Sequence, residues 1–270
     1  MEIIDRGSGI PVVLVPGIQG RWEWMRPAVD ALSRRCRVIT FSLADEPTSG
    51  APFDERAGFD NYLRHINAVL DATRVSSAII CGISYGGLIA ALFGARYPER
   101  TSGVIVVSAI PPSWRPDSRV RFLMRAPRLL SPLFCVNSMR LFPEMVAAKN
   151  GVRSAVPFAV RHVTTVLRYR FSPGLMARRV RLLDGQSFEA EIAQMRTPAL
   201  IVTGDAGLDR VVPVSSTQDY LRLWPHARAT SITQSGHLGS ITRPDQFADL
   251  AVRFAESISR QHDHRRRIVV

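Results

Sequence analysis

Short, almost wholly apolar runs recur along two separated parts of the chain. Ile10–Val15, Arg37–Phe41, Ala78–Cys81, Gly103–Val107, Pro198–Thr203 and Ala229–Ile232 read as strands. Their apolar residues run on rather than alternate with polar ones, which is the pattern of strands covered on both faces. Between them the apolar period lengthens to that of a helix. Arg21 to Arg34 carries Trp22, Trp24, Met25, Val29 and Leu32 at helical spacing, and Phe59–Thr73, Leu88–Ala95, Ser215–Leu223 and Pro244–Ser259 follow the same rule. The helix after Ala78–Cys81 is closed by Tyr97-Pro98, and Ala44–Gly58, rich in Pro and Gly, reads as a loop. Apolar strands alternating with helices predict an α/β fold: a mostly parallel, doubly wound sheet.

The alternation stops after Pro112. From there to about Leu183 no strand pattern occurs, and short helical patterns are broken at Pro127, Pro132, Pro143, Pro157 and Pro173. The expected organisation is a core of residues 1–110 and 186–270, with 111–185 inserted as a helical cap. The last residues, Gln261 to Val270, are expected to fray.

Composition sharpens this picture at one place. The net charge is +12 over 270 residues. Residues 110–185 hold 14 basic and 3 acidic residues, against 21 basic and 20 acidic elsewhere, so the insertion carries nearly all the imbalance. Three readings follow: a solvated face, a field that attracts an anionic substrate, or a contact with anionic membrane or nucleic acid. No nucleic-acid-binding motif is present. The cysteines, Cys36, Cys81 and Cys135, show neither disulfide nor metal spacing. The first residues lack a secretory pattern and no apolar run could span a bilayer, so a cytoplasmic protein is expected. An Arg-rich insertion gives no positive sign of a large apolar interface, and the sequence leaves the oligomeric state open.

The candidate chemistry lies where strands end, since ligands of open α/β sheets bind at the strands' carboxyl ends. Gly82-Ile83-Ser84-Tyr85-Gly86 joins a strand to a helix. A serine in so tight a turn adopts strained backbone angles, and its glycine neighbours let strand and helix approach. A serine hydroxyl needs a base, and the base an orienting acid. His237 follows the last strand, and the acid is Asp205 or Asp209, in the loop after Pro198–Thr203.

In these residues, and in the order Ser, Asp, His with a helical insertion before the acid strand, the chain resembles the α/β-hydrolase family. The resemblance covers nearly the whole chain. It implies Ser84 as nucleophile, His237 as general base then acid, and Asp209 as the orienting carboxylate, because the family's Asp precedes an apolar pair and a proline, as in Asp209-Arg210-Val211-Val212-Pro213. It further implies an oxyanion hole from the backbone N–H groups of Tyr85 and Ile18. The chain departs from the family in having Pro16 where a histidine is usual, and Ser42-Leu43-Ala44-Asp45-Glu46 in place of an Asp-x-x-Gly-x-Gly turn. It also begins late, without the family's opening hairpin.

Gly17, Trp22, Trp24 and Ile110 are the candidate pocket residues, although packing on the helix would equally explain the two tryptophans. Phe122, Met124, Phe134, Met139 and Phe142 are expected to roof the site. His65, His162 and His226 read as surface or core residues, and His262 and His264 have no metal-ligand spacing. The expected activity is hydrolysis of a small carboxylic ester, anionic in one reading, through an acyl-enzyme, with no metal or organic cofactor. A lactonase, thioesterase, carbon–carbon bond hydrolase or cofactor-free perhydrolase would use the same triad. A ligand-binding receptor on the same scaffold is the alternative from another class.

Overall fold

In the computed structural model, residues 1–169 and 172–268 are described, with every side chain among them except those of 134, 135, 137, 217, 218 and 261–268. The side chains of Phe134, Cys135, His262 and His264 therefore lie outside the described residues.

Among the described residues seven strands form one sheet: β1 (Ile4–Arg6), β2 (Pro11–Val15), β3 (Arg37–Thr40), β4 (Ala78–Ile83), β5 (Thr101–Val107), β6 (Ala199–Thr203) and β7 (Arg228–Ser231), in the order β1-β3-β2-β4-β5-β6-β7. Only β1 is antiparallel, paired to β3 through Ile4↔Thr40, Asp5↔Ile39 and Arg6↔Val38. It carries no apolar run, because a short edge strand need not bury its side chains; this is why the apolar pattern omits it. The remaining pairings are parallel.

The sheet is doubly wound. Alternate residues of each central strand serve two cores: Val13, Val15, Ile80, Val104, Val106 and Ile201 on one face, and Val12, Leu14, Ile79, Cys81, Ile105 and Val202 on the other. A side-chain period of two within a continuous apolar run has this consequence. Helices α1 (Arg26–Leu32), α2 (Asp60–Ala72) and α3 (Tyr85–Arg96) follow β2, β3 and β4 in turn. The expected helix at Arg21 is a 3-10 turn, Trp22–Met25, followed by α1, which starts where Pro27 takes its place in the first turn.

Between β5 and β6 there is no strand among the described residues, only α4 (Ser118–Arg125), α5 (Ser131–Ser138), a 3-10 turn (Met139–Leu141), α6 (Phe142–Ala148), α7 (Val152–Arg168), α8 (Pro173–Leu183) and the short α9 (Glu189–Ala193). The chain closes with α10 (Thr217–Leu223), α11 (Gly239–Thr242) and α12 (Pro244–Ile268). α12 runs past its expected end at Ser259, through a stretch of Gln, His and Arg without Gly or Pro to stop it. No helix among the described residues is long and apolar enough to cross a membrane.

Candidate active site

Ser84 is the residue between β4 and α3, and its backbone sits at φ 55° and ψ −117°. Such angles are costly for a residue with a side chain and persist only where the surroundings impose them. The surroundings here are the two flanking glycines. A Cβ on Gly82 would fall inside contact distance of the Gly86 carbonyl, and one on Gly86 would lie 2.5 Å from the carbonyl oxygen of Val15. Strand, turn and helix are thus packed backbone on backbone. Tyr85 is the first residue of α3, so its N–H has no partner within the helix and is free to point at a ligand beside Ser84.

His237 and Asp209 come from the loops after β7 and β6. These loops are also joined through glycines. A Cβ on Gly204 would lie 2.5 Å from Gly236 Cα, and one on Gly236 would lie 2.7 Å from the Asp209 nitrogen. The close approach brings His237 Nδ1 within 3.4 Å of Asp209 Oδ2. That is long for a hydrogen bond, as is common before substrate tightens a site. The other oxygen, Oδ1, accepts the N–H groups of Val211 at 3.0 Å and Val212 at 2.9 Å. Burial raises the Asp209 pKa, but His237 and these two N–H groups outweigh it and hold the carboxyl below its ordinary value. Asp205 takes a different place: its side chain accepts the Gln234 N–H at 2.7 Å and ties the loop to the end of β7.

Ser84 and His237 share one cavity of about 50 Å³, walled by Gly17, Gln19, Trp24, Met25, Ile83, His162 and Leu238 among others. Of the four candidate pocket residues, Gly17 and Trp24 line this cavity. Trp22 and Ile110 are not in the wall. Trp22 and Trp24 stand two apart in a 3-10 turn and face different ways; Trp22 packs into the core beneath α1, with Arg26 and Arg6 over its ring. Ile110 packs into the opposite core, and its carbonyl accepts the Tyr220 hydroxyl at 2.8 Å. Phe122 and Met139, expected over the site, are exposed.

The helices between β5 and β6 reach the site through residues that carried no signal in the sequence. His162, on α7, lies in the cavity wall with its ring edge-on to Trp24, the centroids 6.0 Å apart. Burial holds its imidazole below the ordinary range, so it faces the cavity uncharged at neutral pH. Glu144, on α6, is 1% exposed. Its Oε1 accepts the backbone N–H of Leu238, next to His237, and the Ser235 hydroxyl at 3.3 Å. Burial pushes its pKa up to about 7, with the Leu238 and Gly236 N–H groups opposing.

Arg179, on α8, is completely buried. Its Nη2 lies 2.9 Å from Asp45 and 2.6 Å from Glu46, while Nη1 donates to the Ile18 carbonyl at 2.8 Å. Its own carbonyl accepts the Tyr85 hydroxyl at 3.2 Å. One arginine thus touches both residues expected to form the oxyanion hole. Asp45 and Glu46, in the stretch that departs from the family pattern, are its counter-ions.

Residues 12–250 match the model of the alpha/beta hydrolase family. The chain belongs to that family. A protein of Azorhizobium caulinodans assigned as a carbamate hydrolase is 27% identical over 93% of each chain. A 2-hydroxymuconate semialdehyde hydrolase of a Pseudomonas strain is 24% identical over 91% of this chain and 87% of its own. Among solved structures, the enol-lactonase of Burkholderia xenovorans superposes with a TM-score of 0.75 at 19% identity, covering 94% of this chain and 95% of that one. As an alpha/beta hydrolase, the chain is a hydrolase with named relatives acting on small molecules.

Proposed function

We propose that this alpha/beta hydrolase cleaves small carboxylic esters through an acyl-enzyme on Ser84. The observation that carries the reading is the strained Ser84 turn opening into the cavity it shares with His237, whose far ring nitrogen faces Asp209. In the first half-reaction His237 Nε2 takes the Ser84 proton as Oγ attacks the ester carbonyl. The carbonyl oxygen becomes an oxyanion held by the N–H groups of Tyr85 and Ile18, each donor contributing about 3 kcal/mol to lowering the barrier. The C–O bond to the leaving group then breaks, and His237 returns the proton to the departing alcohol. Water enters, gives a proton to His237 and attacks the acyl carbon. Collapse releases the carboxylic acid and restores Ser84.

Asp209, kept ionised, holds His237 in the tautomer with its proton on Nδ1 and stabilises the imidazolium formed during each half-reaction. Residues 111–185 act as a cap: Glu144 fixes the His237 loop, Arg179 fixes the Ile18 loop, and His162 closes the wall. A lactone is an internal ester, and the same steps would open it.

Hydrolysis of p-nitrophenyl acetate by the wild type, Ser84→Ala and Asp209→Asn tests the proposal. The serine variant is expected to lose all turnover above background, and the aspartate variant to lose on the order of 10⁴-fold in kcat. Unchanged turnover in Ser84→Ala would sink it.

A further inference from the structure

Helix α7 presents three faces. Ala155 is buried and His162 turns into the cavity wall. On another side Val152, Val156, Val160, Val163 and Leu167 form one stripe, since they follow one another at three- and four-residue steps. All are exposed, Val160 by 60% and Leu167 by 74%. Arg153, Arg161 and Arg168 follow on the adjoining side, all exposed. Among the described residues no carboxylate pairs with Arg153 or Arg161, and Arg168 lies against the Tyr169 ring. Leu129, Leu133, Val136 and Met139, around α5, are exposed as well.

An apolar stripe over four helical turns is not left to water without a use. Its occupant must accept Val and Leu side chains and, beside them, a row of guanidinium groups that no described carboxylate neutralises. We propose that α7 docks this protein, reversibly and without spanning it, on an anionic lipid surface. The valines and Leu167 would enter the boundary between headgroups and acyl chains, while Arg153, Arg161 and Arg168 meet lipid phosphates; this is the anatomy of helices that lie in a membrane interface. A second copy fits less well. Residues 110–185 hold 14 basic and 3 acidic residues, so two such faces would bring like charges together. A nucleic acid would answer the arginines but offers nothing to the stripe.

Co-sedimentation of the full chain with vesicles tests this, comparing phosphatidylcholine alone with equal parts phosphatidylcholine and phosphatidylglycerol. The wild type should bind the mixed vesicles at low salt, about tenfold or more tighter than the neutral ones, and lose binding as salt rises. Val160→Asp with Leu167→Asp, and separately Arg153→Gln with Arg161→Gln, should each weaken binding about tenfold or more. Both variants should keep the wild-type thermal unfolding midpoint and hydrolysis of a water-soluble ester, which separates lost docking from lost folding. Absence of wild-type binding to the mixed vesicles at low salt would overturn the proposal. So would wild-type binding by the Val160/Leu167 variant, which would mean charge alone is at work. A wild-type dimer that this variant converts to monomer, seen in sedimentation equilibrium, would overturn it too and assign the stripe to a second copy.

Discussion

A guanidinium with no contact to solvent is tolerated only where anions and acceptors replace the water it has lost. At Arg179 they are Asp45, Glu46 and the Ile18 carbonyl. Removing one member of such a buried group leaves the rest charged and unpaired, so Arg179→Leu should lower unfolding free energy by about 3–5 kcal/mol in urea titration. A loss under about 1 kcal/mol would show that the network does not carry this load. Glu144 makes a prediction in pH. Its folded pKa, about 7, is above the ordinary value of 4.5, so between these values the folded chain holds a proton that the unfolded chain has released. Stability from this group is therefore fully present below about 4.5 and is lost as pH rises toward 7 and beyond. Glu144→Gln should flatten the fall in melting temperature across that window. An unchanged slope in this variant would assign the pH dependence to other groups.

At the scale of elements, the stretch from β4 to α3 was legible because every requirement on it is local. Strand, strained turn and helix follow one another, and Gly82 and Gly86 are needed where neighbouring backbones touch. Gly86→Ala should displace the start of α3 and lower kcat by roughly 10²-fold or more, the cost of misplacing a reacting group by about 1 Å. Near-wild-type kcat would show that the turn yields more readily than its packing implies. The loop with His237 and the loop with Asp205 and Asp209 could be located from the strand ends, while the choice of Asp209 rested on the resemblance to the family. The insertion was not legible in this way. Its helices could be read from their apolar period, but Glu144 reaches Leu238 across 94 residues of sequence and Arg179 reaches Ile18 across 161, while His162 meets Trp24, and nothing in a helical pattern says which side chain turns toward a distant loop. The Asp45-Glu46 pair read as an anomaly and gained its meaning only with Arg179 opposite. Trp22 went the other way: its sequence neighbourhood suggested a pocket, and the 3-10 turn sends it into the core.

For the molecule as a whole, sheet order and charge distribution set the outcome. Apolar runs fixed the two-faced core, and counting charges located the basic segment, but the charge count gave no sign of the exposed apolar stripe on α7. The cavity beside Ser84 is about 50 Å³, far below the several hundred that a drug-sized ligand occupies. Short acyl groups should therefore be preferred. Across p-nitrophenyl acetate, butyrate and octanoate, kcat/KM should fall with chain length by about tenfold or more from acetate to octanoate, since each methylene that finds no room forgoes its burial. An optimum at octanoate would mean that the insertion opens for substrate. The most direct measurement is mass spectrometry of protein quenched during p-nitrophenyl acetate turnover. An acetyl group on the peptide containing Ser84, absent from Ser84→Ala, is the predicted result; turnover that persists in Ser84→Ala with no adduct on that peptide would contradict the acyl-enzyme.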